Sequence, residues 1–283
     1  MDEPELIDQE LERVALSLGI PPCPAILLAI AEETKQEEPS LAKIEQLVAK
    51  DVGLSATLLK TVNSPFYGLT EKISTVQQAI NLLGLAMLSR TISELVLKQI
   101  SMARDQVSME RFWDSSGKLA IAASVIAMRA PGISKEAAYT YGLFQNCGIP
   151  ILMQRFPNYK QTLDLANKSA DRKFTDIEDE AHGANHATIG YLLTKSWNLT
   201  AVISHAIRFH HDYSVFSAPA GKHPPEALKL IAIGLMADYA VQLRFGQNFS
   251  LEWQKGGALA LAHLGLDAEQ FAAILESDKH LLV

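Results

Sequence analysis

The chain has 283 residues, 48% of them hydrophobic, enough for one large or two ordinary domains around a sizeable core. Its 25 Lys and Arg stand against 32 Asp and Glu, a formal net charge of −7 with the signs mixed along the sequence. That balance excludes a general nucleic-acid binder, which needs a basic surface for phosphates. No stretch reaches the ~18 uninterrupted apolar residues of a membrane helix, and the acidic start lacks the basic and apolar parts of a secretory signal. A cytoplasmic protein with no membrane contact is expected.

Nearly every long segment has helical periodicity. Ile44, Leu47 and Val48, then Leu54, Leu58, Leu59 and Val62, recur three and four apart and share helix faces. Ser40 is suited to cap a helix starting at Leu41, and Ser74 a later one. Between them Asn63-Ser64-Pro65 reads as a helix stop, because Asn tolerates left-handed conformations and the residue before Pro avoids the helical region. Gly68 permits the turn that follows, and Phe66 and Tyr67 read as interior aromatics. Residues 101–110 are mostly polar and precede Phe112-Trp113, which places a division between two helical lobes, 1–104 and 105–283.

The Ala-rich segment 118–130 ends at Pro131-Gly132. The acidic cluster from Asp176 to Glu180 reads as a helix start, where the dipole favours negative charge. Residues 212–226 hold too much Pro and Gly for a helix, and 226–245 reads as an amphipathic helix completing the second lobe. No run alternates with period two, so the expected fold is all-α with about twelve or more helices. Cys23 and Cys147 each lie among apolar residues and read as buried free thiols.

Three blocks in order carry a resemblance: Leu18 to Pro24, Asp51 to Gly68 with Asn63-Ser64-Pro65-Phe66-Tyr67-Gly68 at its end, and Ile73 to Gly84. Together with later blocks they resemble the HDOD family, the HD-related output domain of bacterial signalling, over about residues 13–213. The resemblance implies that the second lobe is a helical bundle of the type found in HD metal-dependent phosphohydrolases. Such a site uses an early His, a His-Asp pair, further His residues and a late Asp. These hold one or two ions with an open position and lower the pKa of bound water.

In this chain Ser115-Ser116 stands where the early His is expected, and Gln145-Asn146 replaces the His-Asp pair. Gln and Asn offer a cation only neutral amide oxygens. Glu178, Gly183 and His186, with Trp197, match the family's Glu/Gly/His segment and its tryptophan. His210-His211 matches the double-histidine block and Asp238 the late Asp.

His186, His210, His211 and Asp238 have the composition of a one-zinc site. Adjacent residues on a helix, however, point about 100° apart, which argues against His210 and His211 sharing an ion. Neutral, hydrogen-bonded histidines joining helices are expected instead, with no metal and no other cofactor. Of the remaining histidines, His182, His223, His263 and His280 lack partner spacing, and most are expected at the surface. The expected function is a non-catalytic HDOD-type signal-transduction module that binds a protein partner or a small ligand across a cleft between its lobes. Two other readings stay open: a metal-dependent phosphohydrolase using the reduced His/Asp set, and a nucleotide-binding sensor. With HDOD-like sequence starting near residue 13, no attached input domain is expected. Oligomeric state is left open.

Overall fold

A computed structural model of the chain describes residues 25–34, 36, 38–50, 52–63, 67–101, 106–130, 132–197, 199–246 and 249–277. Among the described residues there are fourteen α-helices and one 3₁₀ segment, with no strand, as the periodicity predicts. The chain divides into two compact units, one of residues 21–103 with 196–198 and one of the remainder. Cys23, Asp51, Ser64, Phe66, Pro131 and His280 lie outside the described residues.

The smaller unit holds α1 (Ala25–Thr34), α2 (Leu41–Ala49), α3 (Val52–Val62) and α4 (Val76–Ser101). Ser40 caps α2, its hydroxyl accepting from the Lys43 amide, and the expected apolar faces are buried through Ile44, Val48, Leu54, Leu58 and Val62. Asn63 ends α3 and clamps the loop beyond it. Its Nδ2 donates to the carbonyls of Leu59 (2.8 Å) and Ile73 (2.7 Å), and its Oδ1 accepts from the Ile73 amide (2.8 Å). The cap of α4 is Thr75, one residue past the expected Ser74. Thr75 Oγ1 accepts from the Gln78 amide (3.1 Å) while Gln78 Oε1 accepts from the Thr75 amide (3.2 Å), a reciprocal box that a lone serine does not match. Helix α4 bends at Gly84, whose φ of 66° is one that other residues rarely adopt.

The larger unit holds α5 (Gln106–Ala127), α6 (Lys135–Phe144), α7 (Gly148–Arg155), α8 (Tyr159–Lys168), α9 (Phe174–His182), α10 (His186–Ser196) and α11 (Ala201–Phe209). The 3₁₀ segment Tyr213–Ser217 follows, then α12 (Pro225–Phe245), α13 (Glu252–Leu264) and α14 (Ala268–Ser277). Pro225 opens α12 at a position where a missing N–H costs nothing. The helix is less amphipathic than expected: every residue from Leu230 to Ala237 is buried, because α5, α6, α11 and α13 surround it.

Two close approaches position the site. A Cβ on Gly142 would lie 2.9 Å from both Ala120 Cα and the Leu119 carbonyl, so the small residues let α5 and α6 meet backbone to backbone. A Cβ on Gly148 would lie 2.1 Å from the His186 carbonyl oxygen. The corner Gln145-Asn146-Cys147-Gly148 therefore rests directly on the first turn of α10. Gly148→Ala should lower stability by about 1–3 kcal/mol, because the atom it strikes is backbone. Gly117→Ala on α5 meets nothing within 4 Å and should raise stability by about 0.5–1 kcal/mol. Urea unfolding of the two variants beside the parent checks both signs.

Candidate functional site

His186 is the first residue of α10, held there by Asn185. The Asn185 Oδ1 accepts from the Thr188 amide (2.8 Å), and its Nδ2 donates to Asp179 at the end of α9 (2.9 Å). Gly183 closes α9 in a left-handed conformation (φ 67°), so the chain turns sharply from Glu178 back to His186. Fully buried Glu178 takes its charge from the acidic cluster read as a helix start, but it is the buried partner of His186 rather than a dipole-stabilised surface charge. Its Oε2 accepts from His186 Nδ1 (2.7 Å), and its Oε1 accepts from the Tyr159 hydroxyl. Burial opposes ionisation of Glu178, yet His186, Tyr159 and His211 outweigh it and hold the carboxyl below its ordinary range.

The expectation that His210 and His211 point apart is corrected by where α11 stops. The helix ends at Phe209, and His210 and His211 lie in the turn beyond it. Freed from helical spacing, their rings sit 4.1 Å apart, centroid to centroid. His186 Nε2 lies 3.1 Å from His210 Nε2 and 3.2 Å from His211 Nε2. On the far side of each ring, His210 Nδ1 meets the Ile207 carbonyl (2.6 Å) and His211 Nδ1 meets Glu252 Oε2 (2.6 Å). Glu252 also accepts from the Tyr213 hydroxyl (2.6 Å) and pairs with Lys255 (2.6 Å). Burial works against its charge, but His211, Lys255 and Tyr213 bring its pKa down to about 2. Burial and the neighbouring rings push His210 well below an ordinary histidine, and burial does the same to His211 against the pull of Glu252.

His210, His211 and Glu252 form part of the wall of a cavity of about 290 Å³. Ser115, Ser116, Gln145, Asn146 and Asp238 line it too, so the positions singled out in the sequence do meet in space. His186 lies behind the wall, fully buried, and Asp238 is not within the histidine cluster. Two polar atoms on the wall, Gln145 Oε1 and the Tyr141 hydroxyl, are buried with no hydrogen-bond partner among the described residues. Both lean over Gly234, where a Cβ would fall 2.4 Å from Tyr141 Cε1 and 2.5 Å from Gln145 Oε1. One turn along α12, burial first and the Glu252 charge second raise the Asp238 carboxyl to about 7.

Sequence reasoning missed Glu252, Tyr213, Tyr159 and Tyr141. Tyr141 precedes Gln145 by four residues, a spacing that could have placed the two on one face; nothing near Glu252 signals a role. The surface expectation fails for three histidines, among them half-buried His263, whose ring packs on Phe216. His223 is buried and bonds His205 across 2.9 Å, while half-buried His182 bonds Thr162 (2.8 Å) and stacks on Phe156. Asn63, Gly68, Gly84 and Trp197 belong to the smaller unit and take no part in the cavity.

The His-Asp ion centre implied by the resemblance does not fit these residues. Its early His and its pair are replaced by hydroxyls and amides, the Gln145 oxygen is enclosed beside Tyr141, and Asp238 stands outside the histidine cluster.

An uncharacterized protein of Treponema pallidum (strain Nichols) is 26% identical over 234 residues, 81% of this chain and 43% of that protein. This chain thus spans less than half the length of the curated relatives it matches. Among solved structures, an HDOD domain protein of unknown function from Geobacter sulfurreducens superposes with a TM-score of 0.69 at 23% identity. The match covers 96% of this chain and 95% of the other. A candidate signal transduction protein from Marinobacter aquaeolei gives a TM-score of 0.64 at 21% identity, over 95% of this chain and 59% of that one. Both are likenesses of fold. Among the described residues no single helix is long and apolar enough to cross a membrane. The HDOD domain model matches residues 20–213, well over half the sequence and close to the span read from the motifs, and the chain belongs to the HDOD domain family.

Proposed function

We propose that this HDOD chain is a non-catalytic signalling module whose HD-type cavity receives a small polar ligand. The observation that carries the reading is the pair of buried, unpartnered polar atoms on the cavity wall, Gln145 Oε1 and the Tyr141 hydroxyl. A buried polar group without a partner costs about 1–3 kcal/mol, a cost the fold tolerates where a ligand supplies the missing bond. The ligand needs N–H or O–H donors for Gln145, and Arg111 at the wall, with no ion-pair partner among the described residues, offers a cation for an anionic end. A nucleotide suits that combination, because side-chain amides match the edges of bases. Membership of the HDOD family supports a regulatory setting, as does the description of the Marinobacter aquaeolei protein. In this reading ligand occupancy, passed to a partner protein, is the signal.

Gln145→Leu should raise the stability of the ligand-free protein by about 1–2 kcal/mol, since it replaces an unpaired buried amide by an apolar group. The same variant, and Gly234→Ala, should lose the thermal shift that guanine and adenine nucleotides give the parent. Gln145→Leu that destabilises, or binds nucleotides unchanged, contradicts the reading. So does multiple-turnover hydrolysis of phosphomonoesters, phosphodiesters or cyclic dinucleotides with Mn²⁺ that disappears in Asp238→Asn.

Asp238 adds a pH signature. Its folded pKa of about 7 lies above the unfolded value of 3.8. Its contribution to stability is therefore complete below about pH 4 and is lost as pH rises through 7. Asp238→Asn should unfold at the parent's urea midpoint near pH 4 and at a higher midpoint at pH 8.

A further inference from the structure

On the reading that the cavity is a receptor, we propose that its ligand is a nucleotide whose base carries an exocyclic amino group. That group is held between Gln145 Oε1 and the Asp238 carboxylate, and the Tyr141 hydroxyl donates to the ring nitrogen beside it. Gln145 Oε1 can only accept, and no donor among the described residues reaches it. Asp238 stands likewise. It borders the cavity, and no hydrogen bond or ion pair ties it among the described residues. His211, Tyr213 and Lys255 direct their donors to Glu252 instead. The wall thus presents two acceptor oxygens that only N–H or O–H donors from a ligand can satisfy.

Spacing selects the group that fits them. Gln145 Oε1 lies 2.5 Å from the Cβ position that Gly234 leaves empty, and Asp238 follows four residues later on α12. Cβ positions so related are about 5–6 Å apart. A planar amino group sends its two N–H bonds roughly 120° apart, to acceptors about 5 Å from each other at ordinary hydrogen-bond length. The Tyr141 hydroxyl, also without a partner among the described residues, lies 3.1 Å from the same Cβ position. It sets a donor beside the Gln145 acceptor. The complement is an acceptor beside a donor, the edge that adenine, cytosine and guanine present where a bare ring nitrogen adjoins the amino carbon. Hypoxanthine and uracil lack the amino group and carry carbonyl oxygens, which would meet the Gln145 and Asp238 oxygens lone pair to lone pair. A simple ammonium offers N–H donors but no acceptor for Tyr141. Phe112 and Phe174 border the same cavity and suit a planar ring.

The full chain is titrated by calorimetry with AMP, GMP and CMP beside IMP and UMP, at pH 8, above the Asp238 pKa of about 7. At least one amino-bearing nucleotide should bind, and its counterpart without the amino group about 10–100-fold more weakly, because buried acceptors are then left bare. Asp238→Leu should erase that preference, while Asp238→Asn, which keeps an acceptor oxygen, should keep most of it. Tyr141→Phe should weaken the amino-bearing nucleotide about 10-fold. If Asp238→Leu does not fold, the paired titrations of the parent and of Tyr141→Phe decide. Equal binding with and without the amino group, or a preference unchanged in Asp238→Leu, overturns the assignment and leaves the receptor cavity in place. Absence of binding by every nucleotide also overturns it, and the receptor reading is then decided separately by the stability of Gln145→Leu.

Discussion

The larger unit depends on the contact between the Glu178 carboxylate and His186 Nδ1. Both groups are fully buried, at 2.7 Å, where an unpaired charge costs several kcal/mol. Tyr159 satisfies the other carboxylate oxygen, so the pair ties α8, α9 and α10 together and fixes the His186 ring. That ring in turn sets the positions against which His210 and His211 settle, while the backbone of His186 carries the corner bearing Gln145 and Asn146. One buried hydrogen-bonded pair thus supports the histidine wall and the amide wall of the same cavity.

The two walls differ in chemistry. On the histidine side every second nitrogen has a fixed acceptor, and the carboxylates are held ionised by the imidazoles, the Lys255 ammonium and two tyrosine hydroxyls. On the opposite side hydroxyls and amides stand where charged ligands would be needed for hydrolysis, and Gln145 Oε1, like the neighbouring Tyr141 hydroxyl, has no hydrogen-bond partner among the described residues. Asp238, half-way to neutral at pH 7, belongs electrostatically with the amides. The proposed reading places recognition of a polar ligand between these two walls.

Much of this was legible in the residues. Apolar spacing marked the helices, Ser40 and Asn63 behaved as their chemistry requires, and Ser115, Ser116, Gln145, Asn146, His210, His211 and Asp238 share one cavity. What failed did so where tertiary structure overrides local spacing. The His210–His211 argument assumed a helix that ends one residue too soon for it. Glu178 sat inside an acidic run whose other carboxylates are exposed, and though the family match picked it out, its charge was read with the rest as a helix start. Glu252 reaches His211 across 41 positions, a pairing that only the packing of α13 creates. Thr75 displaced Ser74 as a cap because Gln78 could reciprocate.

The most direct test of the receptor account is a crystal structure of the protein purified from its native cell without chelator. The account predicts density for a small molecule in the cavity, within hydrogen-bond distance of Gln145 Oε1 and the Tyr141 hydroxyl. A cavity holding only solvent, with the Gln145 amide turned to bond a protein group and Tyr141 paired, would contradict it.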